Sequence, residues 1–250
     1  MQLGIIIQSR NGSTRLPNKA TLPFWKDKNI LEIIIGKLKS IFPNDSIIVA
    51  TTNNNEDDAI CGIAEKEKVR CFRGDELNVL KRFVDTAEYF KINQIIRICG
   101  DNPFISAGSI ADLFAKGNKN YDYCCYSLHD NIPSITSHIG IYPELVQLDT
   151  LKKVQLLTTD KKSLEHVTYF IYNNPKIFKC LFLPADQFLR SRDDIRLTVD
   201  TAGDFCLMQE IFAKIGRIDG DEKILQIVEF IDQNPQFLEI MKNNISENAK

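Results

Sequence analysis

Along the first hundred residues, short apolar runs alternate with stretches whose apolar positions recur every three or four places. Residues 3–9 form a nearly continuous apolar run, the pattern of a strand covered on both faces. Over 30–42, Ile30, Ile33, Ile34, Leu38 and Ile41 fall at helical spacing, with Asn29 placed to cap the start and Pro43 to stop the end. The same alternation predicts a strand at 46–50, a helix at 56–68 and a strand at 69–72. A helix at 77–90 and a strand at 94–99 follow. Such a rhythm predicts right-handed crossovers and a mostly parallel sheet. Ligands of such sheets collect at the carboxyl ends of the strands, so the loops after Ser9, Ala50, Phe72 and Cys99 are expected to share one rim.

The second half is less regular. The pattern predicts strands at 122–127, 177–183 and 195–199, and helices at 161–173, 201–215 and 221–233, with a last helical stretch after Pro235. Residues 131–142, with Pro133 and Gly140, read as an extended arm or hairpin, and 246–250 as a frayed polar end. No repeat or linker divides the chain.

The 250 residues carry 31 basic and 33 acidic side chains, a formal charge of -2, which argues against a nucleic-acid-coating protein. No apolar run reaches the roughly 18 residues that span a bilayer. The N-terminus lacks the basic flank of a signal peptide, so a cytoplasmic protein without membrane insertion is expected. The seven cysteines show no CxxC pair, which predicts free thiols in a reducing compartment and no structural zinc. The adjacent Cys124 and Cys125 read as strand packing.

Three segments carry candidate chemistry. The loop after the first strand reads Gln8-Ser9-Arg10-Asn11-Gly12-Ser13-Thr14-Arg15-Leu16-Pro17-Asn18-Lys19. Its small residues let backbone N–H groups approach an anion, and Arg10, Arg15 and Lys19 add positive charge. It has neither the Walker spacing nor Gly-x-Gly-x-x-Gly, so it suits phosphate or is a solvated basic turn. Next, Cys99-Gly100-Asp101-Asn102-Pro103 sets a carboxylate after an apolar strand, as a Mg²⁺ ligand or as a turn residue. Finally, Arg196-Leu197-Thr198-Val199-Asp200-Thr201-Ala202-Gly203-Asp204 ends a predicted strand in Asp200, which either binds metal or caps the following helix. Together the segments supply phosphate donors and metal carboxylates, the two halves of a nucleoside triphosphate–Mg²⁺ site. His129 and His138 have no metal spacing, and no Gly-x-Ser-x-Gly elbow or His-Glu-x-x-His helix occurs. An Asp-x-Asp motif after a strand, which a glycosyltransferase on a similar fold would want, is also missing.

These segments, with 45–58, Phe72-Arg73-Gly74-Asp75 and Glu165-His166-Val167-Thr168, resemble in order the cytidylyltransferase superfamily that makes CMP-activated sugar acids, and most closely its spore-coat-polysaccharide branch. The resemblance implies an α/β, three-layer GT-A-like nucleotidyltransferase fold with a mixed, mostly parallel sheet and a small arm or hairpin for dimerisation. It implies one domain over 1–245, with a nucleotide-binding half to about residue 120, an acceptor and arm half over 121–215, and C-terminal helices over 216–245. It further implies CTP and a small-molecule acceptor as substrates, Mg²⁺ as cofactor, pyrophosphate as product and a homodimer in which 124–142 forms the arm. By its pattern Arg10 and Lys19 hold the triphosphate and Asp101 and Asp200 the metal. Gln8, Ser9, Gly12, Ser13, Arg73, Asn78 and Gly100 would border the nucleotide, with 72–80 near base and ribose. Glu165, His166 and Arg196 are candidate acceptor contacts, Arg196 also reading as a second phosphate clamp or as a strand-edge arginine. The family's acidic Pro-Asp-Gly-Leu-Asp-Val-Glu-like stretch reads Pro133-Ser134-Ile135-Thr136-Ser137-His138-Ile139-Gly140-Ile141 here, and Tyr169 stands where a proline is expected. The resemblance therefore leaves the acceptor open, and another nucleoside triphosphate or a non-catalytic binding role stays open beside it.

Overall fold

A computed structural model describes residues 2–117, 120–129, 131–215 and 222–247. Its centre is a seven-stranded mixed sheet: β1 (Leu3–Gln8), β4 (Ile47–Thr52), β5 (Arg70–Gly74), β6 (Gln94–Cys99), β7 (Tyr123–Ser127), β8 (Glu144–Gln147) and β9 (Cys180–Pro184), in the spatial order β5-β4-β1-β6-β8-β7-β9. β1, β4, β5 and β6 run parallel, and β8 is antiparallel to both neighbours. β2 (Pro23–Trp25) and β3 (Lys28–Asn29) form a separate small hairpin.

The alternation of side chains along the strands sorts the interior into two layers. Ile5, Ile7, Val49, Ile96, Ile98 and Leu145 point to one face, covered by α1 (Ile30–Lys39), α2 (Asp58–Lys66), α4 (Ala107–Lys116), α8 (Ala202–Ile215), α9 (Glu222–Asp232) and α10 (Pro235–Glu247). Ile6, Ile48, Ala50, Ile95, Tyr123 and Val146 point to the other, under α3 (Val79–Tyr89), α5 (Leu148–Leu157), α6 (Lys161–Glu165) and α7 (Tyr169–Tyr172). The start of α1 follows from sequence: Asn29 accepts from the Glu32 N–H at 2.8 Å and Glu32 accepts from the Asn29 N–H at 2.9 Å, a reciprocal capping box. No described helix is long and apolar enough to cross a membrane, and none of the seven cysteines is in a disulfide.

The predicted elements of the first half are present with ends shifted by a few residues, and their loops share one rim. The second half differs. Residues 195–199 are not a strand: the segment is buried and extended but makes only isolated backbone bonds, Leu197 N–H to His138 and Val199 N–H to Asp101. The predicted helix over 161–173 breaks into α6 and α7, because Thr168 turns inward to donate to Glu144 at 2.6 Å. The described residues of 124–142 do not project as an arm, and Asp130 lies outside them. They comprise most of β7, a short 3₁₀ turn at Ser134–Thr136, and a buried stretch through Ile139 and Ile141. α4, β8, α5 and the β2–β3 hairpin lie where the sequence pattern predicted no element. Of the frayed end expected over 246–250, Ser246 and Glu247 lie in α10, and 248–250 lie outside the described residues.

Candidate active site

The rim where β1, β4, β5 and β6 end carries the site. Its first wall is the loop after β1, and Asn11 is the hub. The Asn11 N–H donates to Asp57 Oδ1 at 2.7 Å and its Nδ2 to the Glu56 carbonyl at 2.7 Å. The Asn11 carbonyl accepts from the Ser13 and Asn18 N–H groups. Asp57, fully buried, also accepts from the Thr52 N–H at 3.1 Å and from the Thr52 hydroxyl, which ties the loop to the end of β4. Asn11 and Asp57 were not singled out from sequence, although both lie inside quoted segments. The signal was an amide and a carboxylate beside strand ends, where backbone N–H groups need acceptors.

The second wall is the turn after β6. Gly100 is required there, because a Cβ would stand 2.7 Å from the Gln8 carbonyl oxygen. Behind the turn, buried Lys37 of α1 donates to the carbonyls of Pro103 (2.9 Å) and Ile105 (3.3 Å) and pins the chain that leaves it.

The third wall is residues 196–204. Thr201 and Asp204 cap α8 reciprocally: the Asp204 N–H donates to Thr201 Oγ1 at 3.1 Å, and the Thr201 N–H donates to Asp204 Oδ2 at 2.9 Å. So Asp204 is the capping acid and Asp200 is left facing the rim. Arg196 is fully buried, which corrects its expected place as an acceptor contact. Its Nε and Nη2 grip Asp204 at 2.7 and 2.8 Å, Nη2 also reaches Asp200 Oδ2 at 2.9 Å, and Nη1 meets His138 Nδ1 at 2.6 Å. Burial alone would raise the Asp204 carboxyl, but Arg196 and the N–H groups of Asp200 and Thr201 outweigh it and hold its pKa at about 2.

The walls meet at Lys19. Its Nζ lies 3.1 Å from Asp101 Oδ2, 3.6 Å from Asp200 Oδ1 and 2.8 Å from the Val199 carbonyl. Arg15 Nη2 adds a 3.1 Å contact to Asp200 Oδ1. Burial opposes the charge on Lys19; Asp101 and Asp200 more than offset it, so its pKa lies above the ordinary lysine value. Two carboxylates nearly a hundred residues apart in sequence thus converge on one ammonium.

Other candidates lie in different surroundings. Arg10 reaches Glu76 at 3.5 Å. Arg73 staples the edge of the rim, donating to the carbonyls of Thr52 (2.9 Å) and Asn54 (2.6 Å) and to Asp58. Asn78 caps α3 by accepting from the Lys81 N–H at 2.8 Å. Glu165 and His166 are exposed at the break between α6 and α7, while Thr168 beside them is buried on Glu144. Gly140 (φ +64°) passes close over the Asp101 turn, where a Cβ would meet Thr198 at 2.6 Å and Asn102 at 2.9 Å.

Glu144, which sequence reasoning passed over, anchors a second buried network. It pairs with Arg97 and accepts from the Tyr123 hydroxyl at 2.5 Å as well as from Thr168. Arg97 Nη2 also donates to Gln8 Oε1 at 3.1 Å. Among the described residues, the buried polar side-chain atoms without a protein partner are Ser9 Oγ, Thr51 Oγ1, Arg82 Nε and Nη2, Arg97 Nε, Asn102 Oδ1 and Thr198 Oγ1. Most gather around the rim: on the ends of β1 and β4, on residues beside Asp101 and Asp200, and on Arg82, which donates to the Asp75 carbonyl just past β5, while Arg97 Nε lies within the sheet on β6. An unpaired buried polar atom costs about 1–3 kcal/mol, and concentrating that cost at one rim marks it as a place built to receive a polar ligand.

A sequence profile of the cytidylyltransferase family matches residues 4–241. An uncharacterized protein of Methanocaldococcus jannaschii is 38% identical over 238 residues, covering 95% of this chain and 93% of its own. The spore coat polysaccharide biosynthesis protein SpsF of Bacillus subtilis is 32% identical over 237 residues, covering 92% and 94%. Among solved structures, a cytidylyltransferase from Leptospira borgpetersenii superposes with a TM-score of 0.82 at 29% identity, covering 95% of this chain and 97% of that one.

Proposed function

The chain belongs to the cytidylyltransferase family and is a nucleotidyltransferase, and from that premise we propose that it transfers CMP from CTP to an oxygen of a small sugar-type acceptor, releasing pyrophosphate with the help of Mg²⁺. The acceptor is a sugar, sugar acid, or related phosphate or phosphonate. The name of the Bacillus subtilis relative supports a place in surface polysaccharide synthesis. The observation that carries the reading is the meeting of Lys19, Asp101 and Asp200.

The donor set suits a hard divalent cation. Asp101 and Asp200 offer carboxylate oxygens around one point that an ammonium now neutralises, and oxygen ligands are what Mg²⁺ takes. The described residues hold no group of three or more His, Cys, Asp or Glu side chains suited to a metal, so the protein's share of the donors would be these two carboxylates. When bound, the cation supplies neutralisation of phosphate charge and polarises the α-phosphoryl group.

The chain's own residues do the rest. The loop braced by Asn11 and Asp57 presents N–H groups and the side chains of Arg10, Arg15 and Lys19 to the triphosphate. Lys19, kept protonated by its two carboxylates, stabilises charge that gathers on the departing pyrophosphate. Arg196 acts from behind by holding Asp200 in place. An acceptor oxygen attacks the α-phosphorus in line, so positioning and charge neutralisation dominate over covalent chemistry.

Pyrophosphate release from CTP, measured with Mg²⁺ against a panel of sugar acids, sugar phosphates and phosphonates, tests the proposal; release is expected with one acceptor class. CTP binding without release from any of them would overturn turnover. Thermal shifts with the four nucleoside triphosphates check the base: a ligand at a hundredfold excess over Kd stabilises by about 2.7 kcal/mol. The enzyme is proposed to act as a homodimer, and a monomer mass by light scattering at assay concentration would overturn that part.

A further inference from the structure

Gln8 ends β1, pairing with Ala50 and Cys99, at the lip of the rim. Its side chain follows Ile6 onto the face covered by α3, away from the layer that holds Ala20 and Val199 beside Lys19. A nucleotide laid across the rim with its phosphates at Lys19 therefore has its other end on the side of Gln8. The carboxamide of a glutamine can usually turn over, but here chemistry fixes it. Among the described residues its one side-chain partner is Arg97 Nη2 at 3.1 Å, and a guanidinium offers donors only, so the oxygen must face inward. Arg97 cannot swing away, because it is buried in the sheet and bound to Glu144, which the Tyr123 and Thr168 hydroxyls hold in turn. Gln8 is half-buried, and its Nε2 is left to present two N–H donors at the rim.

We propose that Gln8 reads the pyrimidine: its locked Nε2–H group donates to the acceptor edge of cytosine, O2 and N3, and Arg97 is the positioning residue that forbids the turned-over amide. Cytosine carries two adjacent acceptors on that edge. Uracil carries N3–H, which would set donor against donor. Selection for CTP over UTP thus arises partly from a group that cannot adapt. The inference rests on the CTP reading above and names the residue that sets it.

The test is steady-state kinetics with CTP and UTP for wild type, Gln8→Glu and Gln8→Met, each checked by thermal melting. Gln8→Glu keeps an acceptor for Arg97 and removes the donors; Gln8→Met removes both. The expected result is a CTP KM raised about tenfold with kcat little changed, and a CTP-to-UTP preference in kcat/KM lowered by about as much. Arg97→Met, which frees the amide to turn, should lower the preference more than it raises the CTP KM. A preference within twofold of wild type in both Gln8 variants overturns the inference. So does an equal rise in KM for CTP and UTP, which would assign the amide to ribose or phosphate. If wild type binds and turns over neither nucleotide, it is the CTP reading that falls instead.

Discussion

Two of the buried arginines, Arg196 and Arg97, lie under opposite faces of the sheet and have unlike surroundings. Arg196 is saturated: Nε, Nη1 and Nη2 all have partners, and with Asp200 and Asp204 it forms a cluster carrying one excess negative charge toward Lys19. Arg97 is balanced by Glu144 alone, leaves Nε unpaired, and hands on to the rim a neutral amide. One buried cation braces an acid for charge chemistry, the other orients an uncharged donor. Burying an ion pair is weak evidence for stability, since a well-packed apolar pair often does as well. What both arrangements secure is the placement of a group at the rim.

The comparison can be broken most forcefully at the charged side. Asp101→Ala and Asp200→Ala are expected to cut single-turnover pyrophosphate release by about a thousandfold with a melting temperature close to wild type. Unchanged Mg²⁺-dependent release in both would remove the proposed metal role. Arg196→Met should act on the fold instead, costing about 3–5 kcal/mol in chemical denaturation by leaving Asp204 buried without its cation. Adding Asp204→Leu should restore part of that loss, and a double variant no better than the single would refute the pairing. Acid titration gives a third measure. Asp204 is held at about 2 against an ordinary 3.8, so its contribution is whole above that ordinary value and is lost as pH falls through about 2. The Asp204→Asn variant should show a flatter stability profile over that window. The mildest test is on the neutral side: Thr168→Val deletes one bond to Glu144 and should cost about 1 kcal/mol, seen as a small shift in denaturation midpoint.

The two sides also differed in how legible they were. β1, β4 and β6 are apolar runs bounded by helices with readable caps, so both the strands and the rim they share followed from pattern. Lys19, Asp101 and Asp200 were each named from type and position; their convergence required the fold. Across the sheet, β8 is short and contains a buried glutamate, which breaks the apolar pattern that identifies a core strand. Its charge is tolerated only because Arg97, Tyr123 and Thr168, all far away in sequence, meet it. Residues 195–199 failed in the opposite way. Ile195, Leu197 and Val199 alternate like a strand, yet the segment inserts beside the Asp101 turn and joins no ladder. Periodicity reports burial, and burial is not the same as pairing.

Asn244 of α10 donates to Asp204 Oδ1 at 2.9 Å, so the bracing of Asp200 draws on the last described helix as well as on its own neighbourhood. During synthesis the parallel strands and the basic loop emerge long before that helix does. The acid's mounting gains its Asn244 bond only when α10 has left the ribosome, so a chain shortened before α10 would brace Asp200 less completely even where most of the sheet has formed.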